Sequence, residues 1–236
     1  MLGLKEILSL KGHPVGVKFC RTAEALNRGK IPTEKITFCQ MVKISSQGGY
    51  FFSCPKEQMG CLTAQFIFGF RAVEEVDIEH HQKQFGINRE TAERLIAIKP
   101  KLRIGEIKGI LVAPLGEFEP ELVILILDSA QALPMLEVVA AVTGKDFSFR
   151  NGISSALCSY GAVVSYQTQE PNLSIPCFGA KRFGLFQDSE LVFTLPWTLV
   201  EKILPTLEKW RATNQIHLPI VQAYRSPTNP FGGKEK

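Results

Sequence analysis

Six cysteines carry most of the chemistry this sequence can offer: Cys20, Cys39, Cys54, Cys61, Cys158 and Cys177. None belongs to a Cys-x-x-Cys pair, which weighs against a zinc knuckle or a thioredoxin-like site. There is no Gly-rich phosphate loop, no His-Glu-x-x-His and no Gly-x-Ser-x-Gly. Thiols scattered in this way act together only if tertiary structure gathers them. Four gathered thiolates suit zinc or an iron–sulfur cluster.

The stretch Ser53 to Cys61 is the most suggestive. Tyr50-Phe51-Phe52 reads as a short buried strand, and Met59, Leu62 and Phe66 recur at helical spacing, with Pro55 at a favoured first helical position. Cys54 is therefore expected at a helix start, where unpaired amide N–H groups and the helix dipole favour a thiolate. The alternative is a buried structural cysteine. On such a helix Cys61 would share the face of Cys54 but lie roughly 10 Å along the axis, a stretched fit to one compact site. Cys39, Cys54, Cys158 and Cys177 come from four separate elements and form the expected ligand set, with Cys20 and Cys61 assigned to the core. Cys54-Pro55 is also similar to the Cys-Pro that closes ferredoxin cluster motifs.

Other polar candidates are fewer. Arg182, in the turn after Cys177, could lie against an anionic cluster or substrate, or simply be a solvated arginine. Adjacent His80 and His81 point different ways on any regular element and are expected to face solvent rather than pair on a metal. His13 and His217 sit in polar or turn context, so a Cys54 nucleophile would lack a base, and no catalytic residue is assigned.

Several elements must position these groups. Leu2, Leu4, Ile7 and Leu8 mark an opening helix, and Val15 to Cys20 alternates as a strand. A short helical piece near Ala23 to Leu26 precedes a helix from Phe38, closed by Gly48-Gly49. Residues 71 to 87 read as charged and irregular. Asn88 caps a helix reaching about Ile98. Ile107 to Val112 and Leu122 to Leu127 read as two strands joined by the Pro114 to Pro120 loop, their unbroken apolar runs implying burial on both faces. Asp128-Ser129 caps a helix from Ala130 to Val142, and another helix is expected over Ile153 to Tyr166. Leu173 to Cys177 and Glu190 to Leu195 form a second strand pair before a helix from Trp197 to Trp210. The fold class is α+β, a mixed and largely antiparallel sheet with helices. Glu121-Leu122-Val123 and Glu190-Leu191-Val192 occupy matching places, which raises two related strand-strand-helix units.

At 236 residues and 45% hydrophobic, the chain can bury a proper core. No linker divides it, so residues 1–225 are expected to form one domain and 226–236 a flexible tail. The longest apolar run falls far short of a membrane span, and the N-terminus lacks a signal-peptide pattern, which together imply a cytoplasmic protein with reduced thiols. A net charge of +4, without clustering of basic and aromatic residues, makes nucleic acid a poor partner.

The chain also resembles a known family. Pro14-Val-Gly-Val-Lys-Phe19, Phe38-Cys39-Gln40, Ser53-Cys54-Pro55, Gly69-Phe70, Val112-Ala-Pro-Leu115, Asp128-Ser-Ala-Gln-Ala132, Glu170 to Cys177 and Gly179-Ala-Lys-Arg-Phe183 are similar, in order, to the blocks of the ArCR family, domain of unknown function 169. The resemblance implies cysteines at the positions of Cys39, Cys54, Cys158 and Cys177, and a small residue often at the place of Cys61. Asp128 stands where the family commonly has Asn. The resemblance supplies no reaction.

Three readings follow. The first is a cysteine-ligated metal protein of anaerobic metabolism, holding an iron–sulfur cluster, or zinc as the alternative, and served by a redox partner protein or a small anionic ligand. The second is a metal-free module in which Gln131 and Arg182 grip an anion between the two units. The third is a thiol enzyme with Cys54 as nucleophile.

Overall fold

The computed structural model describes residues 3–216; Leu2, His217 and the expected 226–236 tail lie outside them. Its elements are α1 (Gly3–Ile7), β1 (Val15–Cys20), α2 (Phe38–Gly48), β2 (Phe52–Pro55), α3 (Leu62–Ile67), α4 (Glu75–Phe85), α5 (Arg89–Ala97), β3 (Gly109–Pro114), β4 (Leu122–Leu127) and α6 (Ser129–Thr143). A π-helical segment, Ala156–Val163, then runs into α7 (Val164–Thr168), followed by β5 (Asn172–Ser174), α8 (Phe178–Gly184), β6 (Leu191–Pro196) and α9 (Trp197–Ala212). The six strands form one sheet in the order β2-β3-β1-β4-β6-β5, and every bonded pair is antiparallel. The α+β class expected from the sequence is the class observed.

The apolar strands alternate between two cores. Val15, Val17, Phe19, Ile110, Val112, Leu122 and Ile124 face a layer made by α2, α3 and the π-helical segment. Val123, Leu125, Leu127, Phe193 and Leu195 face α1, α6 and α9. With a residue period of two, an unbroken apolar run such as Leu122–Leu127 is what burial on both faces demands. No helix among the described residues is long and apolar enough to cross a membrane.

Several local expectations are corrected. β3 and β4 do not form a hairpin, because β1 lies between them. Pro114 lies opposite Val15 on one side of β1 and Leu122 opposite Val17 on the other, so β4 begins beside the end of β3. The connecting loop has only to step over one strand, about 10 Å. The two strand-strand-helix units therefore differ, since β5 pairs directly with β6. Residues 75–85, read as irregular, form α4, whose first turn is fixed by Glu74 and Asp77 in a reciprocal cap and by Arg71 gripping Asp77 at 2.6 and 2.7 Å. His81 on this helix is fully buried, contrary to expectation, while His80 is exposed.

Tyr50 and Phe51, read as part of a buried strand, precede β2, and Tyr50 is 54% exposed. A further correction concerns Cys54. It is a strand residue of β2, paired with Ile110, and no helix starts there. Pro55 closes β2, an edge strand, where a missing N–H is tolerated, and a 3₁₀ turn at Lys56–Gln58 follows. The helix begins only at Leu62, with Cys61 as its N-cap.

Candidate metal centre

Four thiols line one cavity of about 430 Å³: Cys39, Cys61, Cys158 and Cys177. Each stands in the first turn of a helix. Cys39 is the second residue of α2, Cys61 caps α3, Cys158 is the third residue of the π-helical segment and Cys177 caps α8. Helix starts leave amide N–H groups without intrahelical partners, and those groups favour a nearby anion.

Local sequence chemistry fixes each start. Thr37 and Gln40 close a capping box at α2, with Thr37 Oγ1 accepting from the Gln40 N–H at 3.2 Å and Gln40 Oε1 from the Thr37 N–H at 2.9 Å. Ile36 and the Gln58–Gly60 segment exchange backbone bonds of 3.0 and 2.8 Å, which ties the approach to Cys39 to the approach to Cys61. Ser155, in the left-handed region at φ 63°, turns the chain into the π-helical segment. The hydroxyl of Ser159 donates to the Pro100 carbonyl at 2.7 Å, and that of Ser174 donates to the Ala156 carbonyl at 3.2 Å. Asn172 exchanges bonds of 2.9 Å in each direction with the backbone of Arg150, holding β5, and with it Cys177, against the loop before Cys158. Gly184 lets α8 approach α2 closely: a Cβ there would sit 3.1 Å from that of Cys39.

The electrostatics register the same convergence. Burial pushes the Cys39 thiol well above its ordinary value, and the neighbouring Cys177, Cys158 and Cys61 push it further. Cys158 is raised well above by burial, then by Cys61 and Cys177, against N–H groups that favour its thiolate. Cys61 is raised by burial, but the N–H groups of Ala64 and Thr63 pull it down, as a capping position should. Behind the cavity Lys99 is almost fully buried, and that burial pulls its ammonium down to about 8 while Cys158 and Cys177 act to keep it charged. His81 is lowered by burial; its Nδ1 lies 2.8 Å from the Asp77 carbonyl, and its buried Nε2 has no partner among the described residues.

Of the four expected ligands the structure brings together Cys39, Cys158 and Cys177, while Cys54 lies elsewhere. Cys54 is fully buried in β2 and absent from the cavity lining, and burial, with the Glu57 carboxylate second, pushes its thiol up to about 12. Cys61, expected in the core, stands at the cavity instead. Its signal was the Gly60-Cys61 break immediately ahead of the helical run, which places the helix start seven residues later than Pro55 suggested. Cys20 is buried away from the cavity, against the Ala25 carbonyl. Gln131 and Arg182 do not share a site. Gln131 completes the α6 cap with Asp128 and donates to the Ser9 carbonyl at 2.8 Å, whereas Arg182 lines the thiol cavity.

Among the described residues no three His, Cys, Asp or Glu side chains are close enough to hold a single metal ion. Four sulfurs on one zinc would stand about 4 Å from one another. The four thiols instead line the wall of one cavity.

The fold and site define a class: α+β proteins whose antiparallel sheet supports, on one face, four helix starts with a thiol at each. The chain belongs to the DUF169 family, described as uncharacterised ArCR, whose model matches residues 3–205. It is also similar to the uncharacterised protein MJ0308 of Methanocaldococcus jannaschii, at 24% identity over 126 residues, 52% of this chain and 54% of that protein. The chain thus spans about half the length of that curated relative. No solved structure matches.

Proposed function

We propose that Cys39, Cys61, Cys158 and Cys177 hold an iron–sulfur cluster and that the protein is a redox or electron-transfer protein. The observation that carries this reading is the convergence of four thiols, each in the first turn of a different helix, on one cavity. Loading would release the protons that burial retains on Cys39, Cys61 and Cys158, and the helix-start N–H groups and the Lys99 ammonium would offset the negative charge of the cluster. Cys39, Cys61 and Cys177 are only partly buried, so the cluster would lie near the surface, where electrons can enter and leave.

Purification without oxygen, followed by iron, sulfide and zinc analysis and an absorption spectrum, tests this. Iron and sulfide with thiolate-to-iron absorption that bleaches on reduction is the expected result. Single Cys→Ser changes at positions 39, 61, 158 and 177 should sharply lower the iron content, and Cys54→Ser and Cys20→Ser should leave it near wild type. Stoichiometric zinc without iron would remove the redox reading, and absence of metal under these conditions would leave a metal-free anion-binding module.

A further inference from the structure

The thiol cavity opens onto a surface that the cluster itself does not require. Phe178 and Phe183 line its mouth, at 62% and 52% exposure, although buried aromatic side chains are the norm. Ile153, Ile175 and Leu185, all exposed, lie within two residues of cavity-lining positions. Interspersed with them are cations. Arg182 stacks over the Phe183 ring at 5.5 Å, Lys83 and His80 project from α4, and neither Arg182 nor Lys83 has an ion-pair partner among the described residues.

Two other cavities put this in proportion. One pairs Lys145 with Glu170, and another pairs Lys43 with Glu190; each mixes signs and neutralises its own charge. The lining of the thiol cavity contains no carboxylate. On α4, Glu75 pairs with Arg89, Asp77 is buried against Arg71 and Glu79 lies outside the lining; Asp188, just beyond α8, is held by Lys181. An aromatic and arginine-bearing centre with exposed unpaired charge is the composition of a protein interface. These cations stand on the outer rim rather than in the interior, and a small anion held inside would face the anionic cluster. Both facts favour a macromolecular partner over a small anion.

We infer that this rim is the docking face for a small acidic electron-carrier protein. The inference rests on the cluster reading above and names its partner. A reduced carrier docked there would pass one electron to a cluster held by the four thiols, the carrier being oxidised and the cluster reduced by one unit, with no bond or proton changing hands. Positive rim and negative carrier steer the encounter, so association is fast at low salt and slows as salt is added.

The test uses the anaerobically purified protein, a reduced acidic two-cluster ferredoxin as probe and a basic cytochrome c as its counterpart. Stopped-flow rates with the ferredoxin should fall as salt rises. The charge reversals Arg182→Glu and Lys83→Glu together should slow that reaction by about tenfold or more at low salt and speed the reaction with the cytochrome. Phe178→Ala should weaken docking without altering the salt slope. Ferredoxin binding followed by calorimetry gives the same comparison on metal-free protein, and iron content measured on every sample separates a missing cluster from a misassigned face. Rates or affinities indifferent to the charge reversal, or inhibited by phosphate at constant ionic strength as a small-anion site would be, overturn the inference.

Discussion

A thiol in a strand interior and a thiol capping a helix meet opposite fields, and Cys54 and Cys61 are such a pair. Cys54 is fully buried, and its proton is held to about pH 12, against the usual 9.0 for a thiol. The folded protein therefore keeps a proton that the unfolded chain loses between pH 9 and 12. The stability this supplies is complete below pH 9 and is lost as pH rises through that window, at about 1.4 kcal/mol per unit for one site. Urea unfolding of wild type and Cys54→Val should show it: wild type loses about 1.4 kcal/mol more than the variant between pH 8 and pH 10. An equal loss in both would place the Cys54 thiol in water. The sequence disclosed that a thiol sits at a helix mouth in this stretch, yet it did not disclose which one. A strand near Phe52 and a helix from Leu62 through Phe66 were legible, but the strand runs on to Pro55 instead of ending at Phe52, and only its pairing, Cys54 opposite Ile110, separates a strand end at Pro55 from a helix start there.

At the scale of elements, the site depends on how closely helices approach and on how their first turns are fixed. A side chain at Gly184 would meet Phe186 at 3.0 Å and Cys39 at 3.1 Å, so Gly184→Ala should push α8 from α2 and separate Cys177 from Cys39. The expected outcome is a loss of about 1–3 kcal/mol in urea unfolding and a lower iron content, although every thiol is retained. The α4 start depends on Asp77, 1% exposed and gripped by Arg71. Arg71→Met leaves that carboxylate buried without its partner, and a loss of about 3 kcal/mol is expected, measured by the shift in urea midpoint. This helix was the least legible element. Glu75 to Phe85 has few apolar residues, and the interactions that secure it, Arg71 with Asp77 and His81 in the core, are contacts between polar groups that hydrophobic periodicity does not register. The strongly apolar β3 and β4 were legible as elements, but their order in the sheet was set by β1, remote in sequence.

For the whole molecule, the four thiols on α2, α3, the π-helical segment and α8 face one cavity. A bound cluster would cross-link stretches on the scale of a hundred residues, for which loop-closure arguments give on the order of 4 kcal/mol. Removing the metal with chelator and oxidant should accordingly lower the urea midpoint while leaving the sheet intact by circular dichroism. An unchanged midpoint in protein that held iron beforehand would mean that the site is fully prearranged and adds nothing to the fold. The split of the thiols along the chain has another consequence, in time rather than in space. Cys39 and Cys61 leave the ribosome early, but Cys177 follows Cys61 only after an interval on the order of ten seconds at ordinary rates of synthesis, and β6, which holds β5 in place, emerges later still. During that interval the first two thiols are exposed on an unfinished chain. If the set receives iron and sulfide as proposed, delivery would have to wait until Cys177 has emerged, and the early thiols would have to stay reduced until then.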